Sequence, residues 1–183
     1  AQDHAESALA LADDYGLSVW VALARIIRGW ARVEQGALDE GVDELRRGLA
    51  AYAATGARLW RAQSLGLLAQ ALTKAGQFDD ASAAVLEALG LVLETGEDGS
   101  AADLHRIHGD LLLARADELV AALRDHALAH RGTLRVGRTH GVHAEPDVWG
   151  HRVADFAFAA ARSRDRLRAA REAVGIAKIS GAV

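Results

Sequence analysis

Apolar residues in the first half of the chain recur at helical spacing, and glycines interrupt them at a fixed interval. Gly16, Gly56 and Gly96 lie 40 residues apart, and Gly36 and Gly76 share that spacing. Glycine adopts the left-handed conformation that closes a helix without a steric penalty. The pattern therefore predicts helices in pairs, each closed by a glycine. The predicted helices span 17–35, 38–54, 57–75 and 78–94.

A repeat of this length is typical of a solenoid, in which each helix pair buries its apolar face on the next pair. The repeat is carried by WVALARIIRGWARVEQG, LDEGVDELRRGLAAYAATGARLW and AQALTKAGQFDDASAAVLEALGLVLETGE. These stretches resemble tetratricopeptide-type repeats over about residues 5–113. The resemblance implies a scaffold that binds a protein partner. We expect Trp20, Trp30 and Trp60 to pack between helices, with contact to a ligand as the alternative.

Two long helices joined by an irregular segment are predicted after the repeats. The first runs from about residue 101 to about 130, and a second begins near Asp147, which suits a helix N-cap, and ends near residue 174. The apolar stripe of the first contains Leu111, Leu112, Leu119, Leu123 and Leu128. The predicted fold class is all-α: a tetratricopeptide-like helix-hairpin solenoid, then two long helices joined by an extended GRTHGVHAEP segment.

The composition agrees with helices and excludes several protein classes. Aromatic residues are 5% of the chain, so Ala, Leu and Val must build the core, and a single proline argues against a β-sandwich. The absence of cysteine excludes disulfides and cysteine-based zinc sites. No apolar run reaches the roughly 18 residues of a membrane span, and no signal peptide opens the sequence. We therefore expect no membrane partner and a cytoplasmic location.

The charge changes sign along the chain. Residues 1–110 contain 17 acidic and 9 basic side chains, whereas residues 111–183 contain 8 acidic and 12 basic ones. Seven of the eight histidines follow residue 104. This asymmetry predicts two segments with different partners: a repeat domain over 1–110 and a second helical domain over 111–183.

The candidate chemistry is concentrated in residues 132–150, GTLRVGRTHGVHAEPDVWG, where glycines and a proline predict non-helical chain. Arg138 can bind a carboxylate or phosphate through paired hydrogen bonds, and Thr139 can donate another. Histidine can transfer a proton near neutral pH. These residues indicate a site for an anionic substrate, and the pattern leaves His140 and His143 open as the proton-transfer residue.

The ten residues GRTHGVHAEP at 137–146 resemble the adenylosuccinate lyase form of the GRTH block of the fumarase/aspartase superfamily. The preceding LVAALRDHALAHRGT and the closing AKISGAV extend the resemblance to about residues 111–183. It implies C–N β-elimination that releases fumarate from adenylosuccinate in purine biosynthesis, with a purine nucleotide as substrate. It also implies a homo-oligomer, because sites in that family are assembled from three subunits. His140 is then the catalytic histidine and general acid, and the substrate-binding residues are Arg138, Thr139, His143, Lys178 and Ser180.

The catalytic serine of that family lies in a loop of pattern SSxMPxKxNP, which this sequence does not contain. We therefore expect the chain alone to lack lyase activity. Three interpretations stay open: a piece of a lyase, a repeat scaffold with added lyase-like helices, and an artificial junction of two unrelated helices. The sequence LLLA at 111–114 fits both families and marks the place of such a junction.

The remaining signals favour solvated helix faces. His126 and His130, and likewise His105 and His108, have spacings that suit a metal, but neither pair has a third ligand nearby, so no metal is expected. The arginines of residues 162–171 are interleaved with an acid, and we expect no nucleic-acid partner. No glycine-rich phosphate loop is present, so neither ATP, NAD nor another cofactor is expected.

Overall fold

A computed structural model of the chain describes residues 2–96 and 98–174, and this part is mostly helical. The all-α class is confirmed. The chain divides into two compact units, Ala1–Leu111 and Leu112–Val183. The elements are α1 (Gln2–Asp14), α2 (Ser18–Glu34), α3 (Leu38–Ala54), α4 (Arg61–Lys74), α5 (Phe78–Thr95), a 3₁₀ turn (Asp98–Ser100), α6 (Ala101–Ala129), β1 (Leu134–Thr139), β2 (Val142–Val148) and α7 (Trp149–Val174).

Glycines in the left-handed conformation close the first five helices, as the repeat spacing predicts. Their φ angles lie between 64° and 90°. At Gly36, the following Ala37 N–H donates to the carbonyl of Arg32 at 3.0 Å, which satisfies a carbonyl that has no partner within α2. A Cβ at any of these five positions would meet nothing within 4 Å, so the backbone angle alone favours glycine. The glycines concerned are Gly16, Gly36, Gly56, Gly76 and Gly96.

The core of the first unit depends on a close approach of α2 and α3. A Cβ added at Gly29 would lie 2.8 Å from the backbone nitrogen of Leu45, and one at Gly48 would lie 2.7 Å from the Ile26 side chain. Residue numbers therefore rise along α2 as they fall along α3, so the two helices form an antiparallel hairpin. Leu45 and Ile26 are almost completely buried at this contact.

One charged cluster lies inside the first unit. Glu44 on α3 is buried and accepts hydrogen bonds from the guanidinium of Arg28, whose Nε lies 2.8 Å from Glu44 Oε1. The other carboxylate oxygen lies 3.0 Å from Nη1 of Arg32. Because a buried carboxylate is unfavourable unless it is paired, these arginines are what allow Glu44 at this position.

The start of α4 departs from the sequence-based expectation, because residues 57–60 are not helical. The hydroxyl of Tyr52 donates a hydrogen bond to the carbonyl of Leu59, and Ala57 N–H donates to Thr55 Oγ1 at 3.2 Å. These bonds hold an irregular turn that ends at Trp60, whose φ of 63° is left-handed. The helix therefore begins at Arg61 instead of residue 57.

The second unit contains the last part of α6, the β1–β2 hairpin and α7. Val153 is its one buried apolar residue within the described part of the chain. Of the leucine stripe predicted on α6, Leu111 is buried in the first unit, Leu123 is half-buried and the remaining three leucines are exposed. Within residues 2–96 and 98–174, no helix is both long and apolar enough to cross a bilayer.

Candidate functional site

The extended segment predicted between the two long helices is an antiparallel β-hairpin. Leu134 pairs with Val148 at its base, Arg138 pairs with His143, and Thr139 pairs with Val142 next to the turn. Two residues, His140 and Gly141, connect the strands, with φ angles of 48° and 76°. Positive φ at both central positions is characteristic of the tight I′ turn, whose twist matches that of the paired strands. His140 thus lies at the tip of the hairpin.

The side chains next to this tip are exposed and available. Arg138 and His143 are direct cross-strand partners, so their side chains leave the same face of the hairpin, whereas the side chain of Thr139 leaves the other face. Within the described part of the chain, the side chains of Arg138, His140 and His143 take part in no hydrogen bond or ion pair. Two imidazoles and a guanidinium therefore lie close in sequence on one exposed turn, free to meet an anion.

A bulge separates the tip of the hairpin from its base. Between the pairs Val136–Pro146 and Arg138–His143, one residue of β1 faces two of β2. The β1 residue is Gly137, and a Cβ there would lie 2.9 Å from the carbonyl oxygen of Glu145. Glycine is therefore required for the close backbone approach that the bulge creates.

An ion-paired carboxylate lies at the base of the hairpin. Arg135 Nη2 is 3.1 Å from Asp147 Oδ2, and His151 Nδ1 is 3.3 Å from Asp147 Oδ1. The backbone N–H of Val148 donates to the same Oδ1 at 2.7 Å. This N–H, and then the Arg135 guanidinium, lower the pKa of Asp147 below its ordinary value of 3.8.

Asp147 does not cap α7 in the way the sequence predicts. The helix begins at Trp149, two residues later, and the Asp147 carboxylate accepts the N–H of Val148. The first amides of α7 are satisfied instead by carbonyls of the loop after α6. Trp149 N–H donates to Thr133 at 2.8 Å, and Gly150 N–H donates to His130 at 3.0 Å.

The pair His126 and His130 contacts the start of α7 and is more than a solvated face. Their rings are 4.5 Å apart between centroids, and His130 Nδ1 lies 3.1 Å from Thr133 Oγ1. Trp149 Nε1 donates to His126 Nε2 at 3.1 Å. No group of three or more histidine, aspartate or glutamate side chains suited to a metal occurs in the described residues.

The structure thus brings four of the predicted site residues together on one hairpin: Arg138, Thr139, His140 and His143. Lys178 and Ser180 lie outside the described residues. The sequence reasoning missed the ion pair of Arg135 with Asp147 at the hairpin base. Its signal would have been opposite charges on the two sides of the His140–Gly141 turn, but Arg135 and Asp147 pair only once a two-residue turn and a one-residue bulge are both assumed.

Comparison with known proteins places the similarity in this same part of the chain. A lyase family model matches residues 104–183. The adenylosuccinate lyase of Synechocystis sp. is 43% identical over 74 residues, which are 40% of this chain and 17% of that protein. The adenylosuccinate lyase of Aquifex aeolicus is 39% identical over 95 residues, or 52% and 22% of the two chains. That of Bacillus subtilis is 38% identical over 74 residues, or 40% and 17%.

The chain spans about a fifth of the length of the curated relatives that it matches. No solved structure matches it. The matched region contains α6 from residue 104 onward, the hairpin, α7 and the residues after Val174. Residues 104–183 are therefore a lyase-like segment, and its similarity is to adenylosuccinate lyases.

Proposed function

We propose that residues 111–183 carry the general-acid part of an adenylosuccinate lyase-type site, which acts in C–N β-elimination. The observation that carries the proposal is the hairpin tip: His140 stands exposed on a two-residue turn, beside Arg138 and His143. This turn is built from the GRTHGVHAEP motif, and it lies inside the stretch similar to adenylosuccinate lyases.

In the proposed reaction, a base removes a proton from the carbon next to a carboxylate of the succinyl group. The electron pair forms the double bond of fumarate, the C–N bond breaks, and the leaving nitrogen takes a proton to give AMP. His140 supplies that proton. Arg138 binds a carboxylate or phosphate by charge-assisted hydrogen bonds, and Thr139 and His143 add further donors. We assign Lys178 and Ser180 to substrate binding by resemblance alone.

The base is assigned to no residue of this sequence, which lacks the SSxMPxKxNP pattern. We therefore propose that the 183-residue chain binds substrate and does not turn it over. Loss of the base in an acid–base mechanism lowers the rate by about two to four orders of magnitude. Fumarate release should accordingly not exceed that of a His140→Ala control in a continuous ultraviolet assay.

A homo-oligomer is part of the proposal. Phe156, Phe158 and Leu167 on α7 are exposed, and so is Leu119 on α6. Apolar side chains distributed along a helix favour burial against another helix. Association of lyase-like segments would cover these residues, and the resemblance to a family of cytoplasmic tetramers favours the same location and assembly for this chain.

The substrate-binding step is testable with the full chain. Adenylosuccinate added to protein with ¹³C-labelled histidine should shift the His140 ring signals in a saturable way. Arg138→Gln should weaken binding by about tenfold, because a hydrogen bond to a charged group is lost. The matched control is Arg124→Gln, which removes an exposed arginine of α6 that pairs with Asp125. No shift at His140, or equal weakening by both variants, contradicts the proposal.

A second candidate function concerns the first unit, and it is favoured by the 40-residue period of its helix pairs. We propose that α1 to α5 form a tetratricopeptide-like scaffold for a protein partner. The left-handed glycines recur at the same interval as the sequence repeat, which supports a repeated structural unit. Co-purification of the chain with a defined protein, lost when residues 1–110 are removed, would support this role.

A further inference from the structure

A large apolar groove lies in the first unit, and none of its described lining residues belongs to the lyase-like hairpin. It has a volume of about 760 Å³ and is lined by α1, α2, α4 and Trp60, which directly precedes α4. Its walls are Ala, Leu, Ile and Trp side chains, and the polar exceptions are His4, Gln63 and Ser64. Among the described residues that line it, none is aspartate, glutamate, lysine or arginine. A groove of this size and polarity is in the range of small-molecule sites.

Two tryptophans form the rim of this groove, which corrects the expectation that they pack between helices. Trp20 and Trp60 remain 54% and 42% exposed, and their rings lie 6.2 Å apart between centroids. Trp30, in contrast, packs against the core as expected, with the Lys74 ammonium 5.1 Å from its ring centre. Two large exposed apolar rings next to a concave apolar surface present an uncovered contact area for an apolar ligand.

The backbone holds Trp60 in this position at a cost. A φ of 63° is unfavourable for a bulky residue, and such a conformation persists only where the surroundings impose it. Here the buried Tyr52 imposes it through the hydrogen bond from its hydroxyl to the carbonyl of Leu59. The backbone at Trp60 is therefore held in place without a ligand, which reduces the entropy cost of binding.

The residue Ser64 lines the same groove, and its hydroxyl has no partner among the described residues. Ser64 on α4 is 4% exposed, and its backbone N–H donates to the Trp60 carbonyl at 2.9 Å. Its side-chain hydroxyl has no hydrogen bond within the described part of the chain. A hydroxyl on the groove wall that has no such bond is available for one hydrogen bond with a ligand.

We infer that the groove binds an uncharged, largely apolar organic molecule with an aromatic ring and one hydrogen-bonding group. The ring lies against Trp20 and Trp60, and the polar group bonds to the Ser64 hydroxyl. The absence of a fixed charge among the lining residues argues against an ionic ligand, because a buried charge needs a partner. This inference is independent of the lyase reaction proposed for the second unit.

The test uses N-phenyl-1-naphthylamine, an uncharged aromatic amine that fluoresces in apolar surroundings, with the full chain at pH 7.5. We expect saturable binding of one molecule per chain. The matched probe is 8-anilino-1-naphthalenesulfonate, which has the same ring system and a negative charge. It should bind at least tenfold more weakly, because the described lining has no lysine or arginine to pair with the sulfonate.

Variants then locate the site. Trp20→Ala and Trp60→Gly should each weaken binding of the amine by about tenfold, since each removes a ring contact. Glycine is chosen at position 60 because it accepts the left-handed φ without strain. Ser64→Ala should weaken binding about fivefold through the lost hydrogen bond. Ser82→Ala, on α5 and outside the groove, should leave it unchanged.

Three results would overturn the inference. The first is no saturable binding of the amine to the folded chain. The second is equal affinity for the charged probe, or no effect of the Trp and Ser64 variants while circular dichroism shows them folded. The third is a dimer in sedimentation that Trp60→Gly disperses and that excludes the amine, because a second copy would then be the occupant.

Discussion

The indole Nε1–H of Trp149 donates a hydrogen bond to Nε2 of His126, with 3.1 Å between the two nitrogens. His126 therefore carries no proton on Nε2 in this pair. The backbone N–H of the same tryptophan donates to the carbonyl of Thr133. One residue thus joins the start of α7 both to α6 and to the loop that leads into the hairpin. The hairpin is therefore linked to both flanking helices through the contacts of this residue.

Replacing Trp149 by Phe should test this junction, because it keeps an aromatic ring and removes the side-chain donor. We expect the free energy of unfolding of the second unit to fall by about 1 kcal/mol. His126→Phe should have a similar effect, and the double variant should be little worse than either single one, since both remove the same bond. Urea unfolding followed by NMR of second-unit amides measures the unfolding free energy of the second unit in each single variant and in the double variant. Fully additive losses would show that the bond does not couple the two residues.

Gly150 should not tolerate a side chain. A Cβ there would collide with the carbonyl oxygen of Ala127 and lie 2.8 Å from the backbone nitrogen of Arg131. We expect Gly150→Ala to destabilise the chain by at least about 1 to 3 kcal/mol, because backbone must move to make room. Gly109→Ala is the matched control: a Cβ meets nothing within 4 Å there, and a gain of about 0.5 to 1 kcal/mol is expected. Equal thermal stability of the two variants would contradict the close approach at residue 150.

Asp147 should make the hairpin base sensitive to acid. Its pKa is lowered in the folded state by the Val148 N–H and the Arg135 guanidinium, so its stabilising effect is fully present above its ordinary pKa of 3.8. The effect is lost as the pH falls through the lower native pKa. Hydrogen-exchange protection of the Val148 amide should fall as the pH drops below 3.8 and through the lower native pKa of Asp147. Asp147→Asn should remove the transition, and Asp125→Asn, at an exposed carboxylate of α6, should leave it in place.

Glu44 should contribute to the stability of the first unit through its two arginines. Glu44→Gln leaves Arg28 and Arg32 facing a neutral group. Their side chains are 23% and 33% exposed, so water recovers part of the loss, and we expect a decrease of about 2 kcal/mol in unfolding free energy. Glu34→Gln breaks the exposed pair with Lys74 and should change the value by no more than about 0.5 kcal/mol. Guanidinium unfolding curves of the two variants measure both changes in unfolding free energy, and the loss for Glu44→Gln should be the larger.

The helices were predictable because their signals are local. Apolar spacing and the glycines at 36 and 76 determine where helices end, and a glycine closes a helix whatever packs around it. The start of α4 was not predictable from the same spacing. Trp20 and Trp60 occupy equivalent places in the repeat, but Tyr52 and Thr55 have no counterpart before Trp20, and their hydrogen bonds to the following turn change its course.

The position of the candidate site along the chain was predictable, but the three-dimensional arrangement of its residues was not. The sequence indicates Arg138, His140 and His143 because their chemistry stands out in a short stretch. The hairpin depends on which residues form the turn, and His-Gly is not among the Asn-Gly, Asp-Gly and Gly-Gly pairs that mark such a turn in a sequence. The contact between His126 and Trp149 joins residues 23 positions apart, and only folding brings them together.

The recurrence of left-handed glycines in the first unit has an evolutionary consequence. The chain after Gly16, Gly36 and Gly76 adopts one conformation, with φ between −88° and −82° and ψ between 65° and 73° at residues 17, 37 and 77. A cut after Gly36 and a join before Gln77 therefore preserves the local geometry on both sides, whereas the turn after Gly56 differs. Duplication or loss of whole 40-residue periods would therefore change the length of the array without creating a new turn. Gene rearrangement can then lengthen or shorten the array by whole helix pairs. Each helix still packs its apolar face on the next one.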